Sequence, residues 1–467
     1  MRKQVNLLRG DKKGKNTEYR DSLPVNMSAV IKPMFGAAGY MLQQPGLTIH
    51  ATGSGKDRGG LWNERQKNHY RVSGTEFISI DSSGGITFLG NVPGIDKASM
   101  PYSFNTQAVI ANGQMWLYNG ATFIEVTDPD LGNPISCVWI DQYYFLTDGE
   151  YIYHTDIADE TAIDPLQFAT AEFSPDPTLA VDKTTDDKAV VFGRYSIEYF
   201  ANVASSNFAF TRINSRAVKA GIVGSNCKTE MGGAFYIMGG RKEEDISIHV
   251  VGVGDISKIG SREVDKLIGQ YTELELSDAS LEARTEDGIM YLIVHLPNET
   301  LLFNADIAKQ SGASQAWSIL QTDITGNSQW RAINGTFLPT LGNWVYGDKI
   351  DGSIGILDET VATHYGEIAR WELSTPFLKL ETLSIDELEI ETIPGYTTTK
   401  DATVSISLTY DGVTYGKEWF KMYGMPSDYG ARFILYSLGY IPNWVGFKFR
   451  GSTKSRMAFS AATIEVG

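Results

Sequence analysis

The stretch Asn112-Gly113-Gln114-Met115-Trp116-Leu117-Tyr118-Asn119-Gly120-Ala121-Thr122-Phe123-Ile124-Glu125-Val126 decides the fold of this chain. Asn-Gly accepts the positive φ angles of a tight hairpin turn, and the aromatic and β-branched residues around it suit pleated strands. The same grammar recurs outward in both directions. Asp148-Gly149 precedes Tyr151-Ile152-Tyr153, Asp287-Gly288 precedes Met290-Tyr291-Leu292-Ile293-Val294, and Asp411-Gly412 precedes Val413-Thr414-Tyr415. Glycine is frequent, at 47 residues, while helix-length amphipathic runs are few, so the expected class is all-β.

Apolar strand centres fall near 70–80, 115–126, 143–153, 190–200, 234–253, 290–303 and 343–357. Their spacing of roughly 35–45 residues is that of propeller blades and predicts about seven of them. A stack of sandwich domains gives similar spacing, and the Gly-His and Trp-Asp markers of one common propeller family are missing. After about residue 370 the texture changes to long alternating strands. Leu388 and Ile390 alternate with Glu387, Glu389 and Glu391, and Val404, Ile406 and Leu408 repeat the period of two. The expected organisation is a basic arm over 1–22, a β-propeller-like platform over 23–369 and a C-terminal β-sandwich domain over 370–467. One helix is expected over 261–275, capped by Ser261, with Val264, Leu267 and Ile268 on one face.

The formal net charge is −16, unevenly placed. Residues 1–20 carry Arg2, Lys3, Arg9, Lys12, Lys13, Lys15 and Arg20 against Asp11 and Glu18, a net of +5, which leaves −21 on the rest. An acidic body argues against general adhesion to nucleic acid. The basic stretch reads as a solvated, partly disordered arm or as a docking element for an acidic neighbour. The Glu387, Glu389 and Glu391 row reads as a solvated sheet face or, more sharply, as an acidic assembly or lumen face. Cys137 and Cys227 have no ligand-like spacing and are expected as buried free thiols. No secretory signal and no apolar run long enough to span a bilayer is visible.

No motif carries catalysis, a metal or a cofactor. Gly53-Ser54-Gly55-Lys56-Asp57 lacks both the upstream glycine and the following Ser or Thr of a phosphate loop. The six histidines (His50, His69, His154, His249, His295 and His364) include no zinc-helix pair, and His295 is expected as a buried, hydrogen-bonded imidazole in an apolar strand. No nucleophile elbow occurs. The rival to a non-enzymatic role is a propeller-type carbohydrate-binding or polysaccharide-degrading component. That reading needs exposed aromatics, for which Trp62, Trp116 and Trp330 are the candidates.

A further set of landmarks runs in order along the chain. It begins with Tyr19, Asp21 and Leu23-Pro24-Val25-Asn26-Met27. It continues with Ser196-Ile197-Glu198-Tyr199-Phe200, with Lys219, Gly221-Ile222, Gly224 and Cys227-Lys228-Thr229, and with Leu292-Ile293-Val294-His295-Leu296-Pro297. It ends with Asp411-Gly412, Tyr415-Gly416-Lys417-Glu418, Gly446-Phe447-Lys448, Arg450 and Thr453-Lys454-Ser455. In these the chain resembles the packaged-DNA stabilisation proteins of short-tailed phages, also called tail accessory or nozzle proteins. One departure is the aromatic and apolar segment 435–444, where the family carries a basic stretch.

The resemblance implies a propeller-plus-β-domain build and a hexameric tube below the portal and its adaptor ring. It implies retention of packaged dsDNA, which later passes through without sequence-specific binding. The implied partners are copies of the chain itself, a tail adaptor or head-completion protein, a needle or plug, and a tailspike or fibre. The implied location is the virion tail, assembled in the host cytoplasm. On this reading Arg2 to Arg20 form an adaptor-docking arm that is mobile in the monomer, and Tyr19, Asp21, Leu23, Pro24, Val25 and Asn26 form a structural motif.

Overall fold

Seven small, mainly antiparallel sheets follow one another between residues 46 and 368 of the computed structural model, which describes residues 1–8, 10–14, 18–33, 38–171, 173–205, 207–323, 329–392, 397 and 402–467. Six of them are built from consecutive segments, over 57–91, 107–125, 136–170, 178–212, 221–258 and 280–320. The seventh joins 332–358 to the strand Gly46–Thr52, which pairs with Ser353–Asp358. A strand from before the first blade thus completes the last one. Asn112 and Gly113 take φ of 51° and 70° and reverse the chain between Ala111 and Gln114, as their sequence requires; Asp287-Gly288 does the same.

Neighbouring blades share apolar clusters all the way round. Val72 and Phe77 of the first blade meet Val109 and Trp116 of the second, and Ile110 and Leu117 meet Tyr144 and Leu146 of the third. Phe145 and Ile152 then meet Val191 and Phe200 of the fourth. Ile293 and Leu302 of the sixth meet Trp330 and Tyr346 on the seventh, and Leu338 and Val345 return to Ile78 and Ile80 on the first. Each such buried side chain contributes about 1.5–3 kcal/mol, so packing between blades reinforces the closure made by the Gly46–Thr52 strand.

The C-terminal sandwich has a six-stranded sheet centred on Leu383–Thr392 and Ala458–Val466, and a five-stranded sheet centred on Thr403–Thr409 and Trp444–Ser452. Val404, Ile406 and Leu408 face its core as their alternation demanded. That core is continuous with blades four to six: Phe192, Ile237, Leu292, Trp317, Leu388 and Phe449 belong to one cluster.

Residues 1–52 depart most from expectation. They do not form a mobile arm followed by propeller. Arg2–Val5 pairs with Ala458–Val466, and Met27–Val30 with Tyr40–Gln43 extends the same sandwich sheet. Between them Asp11–Lys13 and Tyr19–Asp21 form a hairpin. The chain therefore laces sandwich to propeller before building either. The reason is physical: Val5, Leu7, Met27 and Met41 are buried in the shared core, so the stretch is anchored at both ends, with Lys12 and Arg20 half-buried.

Three smaller expectations also change. The helix is two short pieces, α1 (Arg262–Ile268) and α2 (Glu273–Ser277), separated at Gly269; Ser261 caps α1 as expected, and Thr272 with Glu275 forms a capping box on α2. Trp116 and Trp330 are buried and Trp62 is half-buried, so none of the three forms an open aromatic platform. Val413-Thr414-Tyr415 is not a strand, because Asp411 gathers the Val413 and Thr414 amides into a local turn.

Candidate functional site: a clasp and a cleft between propeller and sandwich

Leu23-Pro24-Val25-Asn26 runs between the outer strand of the sixth blade (Trp317–Leu320) and the sandwich strand Arg370–Ser374. The Ile319 amide donates to the Pro24 carbonyl at 2.8 Å, and Val25 exchanges backbone bonds of 2.9 and 3.1 Å with Glu372. Asn26 is buried, with φ of 51°. Its amide donates to Ile319 O at 2.7 Å; its Nδ2 donates to Gln321 O at 2.7 Å and Arg370 O at 2.6 Å; its Oδ1 accepts the Gln321 amide at 2.9 Å. One asparagine thereby ties a propeller blade to the sandwich. Only a short polar side chain that tolerates left-handed backbone fills this position.

The N-terminal hairpin lies on α1. Glu263, almost wholly buried, accepts from Arg20 Nε, from Arg20 Nη2 at 2.9 Å and from Lys12 at 2.9 Å. Glu18 pairs with Arg262 and with Lys266 at 2.9 Å; the Lys266 hydrogen bond holds its carboxyl below the usual carboxylate range. The other edge meets the sandwich, where the Asp11 amide donates to Thr375 O at 3.2 Å and the Tyr19 ring stands edge-on to Phe377.

A cleft of about 570 Å³ opens at this junction. Tyr19, Phe377, Tyr410 and Trp444 supply apolar walls, and Asp11, Asp21 and Arg262 supply the polar ones. Tyr19, Tyr410 and Trp444 are all exposed. Sequence reasoning singled out Tyr19 and Asp21 but missed Glu263, Tyr410 and Trp444. Segment 435–444 had been marked as departing from the family, which was the available signal for Trp444.

The expected docking residues are thus dispersed. Arg2 lies 3.7 Å from Glu465, Lys3 donates to the Lys379 carbonyl at 3.4 Å, and Lys12 and Arg20 are engaged by Glu263. Lys13 is exposed, and Arg9 and Lys15 lie outside the described residues. Glu387, Glu389 and Glu391 line up half-exposed on Leu383–Thr392, an inner strand of the six-stranded sheet, and Arg432 Nε bonds Glu389 at 2.7 Å. Clasp, cleft and acidic row are separate features.

Buried charge inside the propeller is largely paired. Arg71 bridges Asp57 at 2.7 and 2.9 Å, and Asn334 Nδ2 reaches the same carboxylate at 2.7 Å. His295 is buried as expected, with Nε2 3.1 Å from Glu282; burial, then Lys349, pushes its imidazole down to about 4. The Glu282 contact is close but poorly aligned for a hydrogen bond, and the ring lies parallel to Trp330 with centroids 6.4 Å apart. Both cysteines are free and buried. Among the described residues no group of three or more His, Cys, Asp or Glu is placed to hold a metal ion, and no helix is long and apolar enough to cross a membrane.

Two family models match this layout in order. One, described as Bacteriophage P22 Gp10, beta-propeller, spans residues 3–362; the other, Bacteriophage P22 Gp10, beta-sandwich, spans 370–467. The chain belongs to the phage P22 Gp10 family. The tail hub protein gp10 of Salmonella phage P22 is 28% identical over 480 residues, covering 99% of each chain. Among solved structures, a catalytically inactive virginiamycin B lyase from Staphylococcus aureus is 12% identical, with a TM-score of 0.44 over 68% of this chain and 99% of its own. The N-terminal domain of Nup159 is 10% identical, with a TM-score of 0.42 over 72% and 98%. Propeller followed by sandwich is the build of the Gp10 family as well as of this chain.

Proposed function

We propose that this chain is a structural component of a short phage tail, acting by assembly and not by catalysis. The observation that carries the reading is the end-to-end match to the P22 tail hub protein. On this reading copies of the chain, six in the complete tail, form a ring below the portal and its adaptor. The ring retains packaged DNA, holds a needle or plug and a tailspike or fibre, and later serves as the conduit for ejection. It assembles in the host cytoplasm and resides in the virion.

Physical features support a rigid spacer. The clasp at Asn26 and the shared core make propeller and sandwich one packed body. The net charge of −16 offers few cations to duplex DNA, so a lumen lined by this surface would let DNA slide without adhesion. The hot-spot residue types Trp444, Tyr410 and Tyr19 around the cleft suit contact with a neighbouring tail protein. The carbohydrate reading has less support, because Glu263 at the cleft is already engaged by Arg20 and Lys12. The test is DNA retention. Tail-less, DNA-filled heads are incubated with the purified protein and challenged with nuclease. The proposal expects protection of the packaged genome; unchanged leakage refutes it.

A further inference from the structure

Residues 98–177, which span blades two and three, contain twelve Asp or Glu and no Lys or Arg. Most of the chain's excess negative charge therefore sits on two adjacent blades. On the third blade a groove of about 270 Å³ lies over the paired strands Tyr151–Thr155 and Ile163–Thr170. Its apolar wall is a ring pair, Tyr151 edge-on to Phe168 with centroids 5.1 Å apart, beside Tyr153, whose hydroxyl is fixed on the Leu131 carbonyl at 2.6 Å. Asp130, Asp148 and Asp164 stand along it. Asp148 is oriented by the Glu150 and Tyr151 amides at 3.0 and 2.8 Å, and Asp164 by the Leu166 amide at 2.9 Å. Phe168 on its wall is 47% exposed, so the groove offers apolar as well as acidic surface.

We propose that this groove docks an Arg- or Lys-bearing segment of another protein. A guanidinium or ammonium group held against the Tyr151 and Phe168 rings gains cation–π attraction, and the carboxylates along the groove pair with it. Charge decides the occupant: an uncompensated negative face repels nucleic acid and acidic chains and attracts a cationic one. The described basic residues of the chain's own N-terminal stretch are largely occupied, Arg2–Val5 in the sandwich sheet and Lys12 and Arg20 on Glu263, so the occupant proposed is a different protein, and the inference stands independently of where the chain resides.

The test uses three fluorescein-labelled nine-residue probes: repeats of Gly-Arg-Ser, of Gly-Glu-Ser and of Gly-Gln-Ser. Anisotropy is read against the full chain at low and high salt. The expected result is saturable binding of the Arg probe alone, weakened by salt. Phe168→Ser and Asp130→Lys, both at exposed positions, should each reduce it by about tenfold. Glu76→Lys on the first blade should leave it unchanged. Hydrogen exchange supplies a second readout, with amides of 151–153 and 163–170 slowed by the Arg probe. Absence of saturable binding, equal binding of the Gln probe, or equal loss in Glu76→Lys overturns the proposal; a face that only lines a DNA passage gives the first of these results.

Discussion

Replacing Asn26 by alanine is the sharpest perturbation of the join between propeller and sandwich. The side chain makes three bonds to buried backbone, two donated to Gln321 O and Arg370 O and one accepted from the Gln321 amide. Its removal strands two carbonyls and one amide, and a stranded buried group costs about 1–3 kcal/mol. Alanine at φ of 51° adds about 1 kcal/mol or more of backbone strain. Taking the low end of each range, the expected loss is about 4 kcal/mol. The Asn26→Gly variant separates the terms: it relieves the strain and keeps the hydrogen-bond loss, so it should recover about 1 kcal/mol only. Urea unfolding followed by tryptophan fluorescence reads the loss. Calorimetry reads its second consequence, a single transition splitting into two as the clasp fails. A loss below about 1 kcal/mol in Asn26→Ala, or wild-type stability in Asn26→Gly, would refute the clasp.

Glu263→Gln leaves Arg20 and Lys12 without their shared carboxylate, at a cost of about 2 kcal/mol; limited proteolysis should then open the 11–21 hairpin first, and unchanged protection would contradict its docking on α1. His295 and His364 are both held down to about 4, chiefly by burial, below the ordinary 6.5. The unfolded chain therefore takes up these protons first, so the contribution of these two histidines is complete above about pH 6.5 and is lost as the pH drops towards 4, by up to about 3 kcal/mol each; a flat urea midpoint between pH 7 and pH 4.5 would remove this account. Gly221→Ala places a Cβ 2.1 Å from the Gly193 carbonyl of the fourth blade, between backbones that cannot both give way; a loss of about 3 kcal/mol is expected by thermal unfolding, and a neutral result would show that blades four and five slide.

The fold was readable where local chemistry is decisive. Asn112-Gly113 and Asp287-Gly288 specify turns by their φ angles, and the apolar centres between them already count seven blades. The lacing of residues 1–52 was not readable, because its determinants are non-local. Arg20 meets Glu263, 243 positions away, and Asn26 meets Gln321 and Arg370 at comparable distance. A basic stretch whose acidic partner lies that far along the chain looks like a solvated arm. Gly269 divides the 261–275 helix, where a continuous apolar stripe concealed the break. Trp116 and Trp330 illustrate the opposite error: candidates for a binding face, they fill the contacts between blades. Of the cleft, Tyr19 and Asp21 were legible through the family resemblance, whereas Tyr410 and Trp444 join them only through tertiary packing.

Electron cryo-microscopy of tail-less heads after incubation with the purified protein tests the central claim most directly. Tail assembly predicts annular density on the portal axis, built from repeated copies of a seven-bladed ring with its sandwich attached. Heads without added density, beside monomers that remain free in solution, would contradict it.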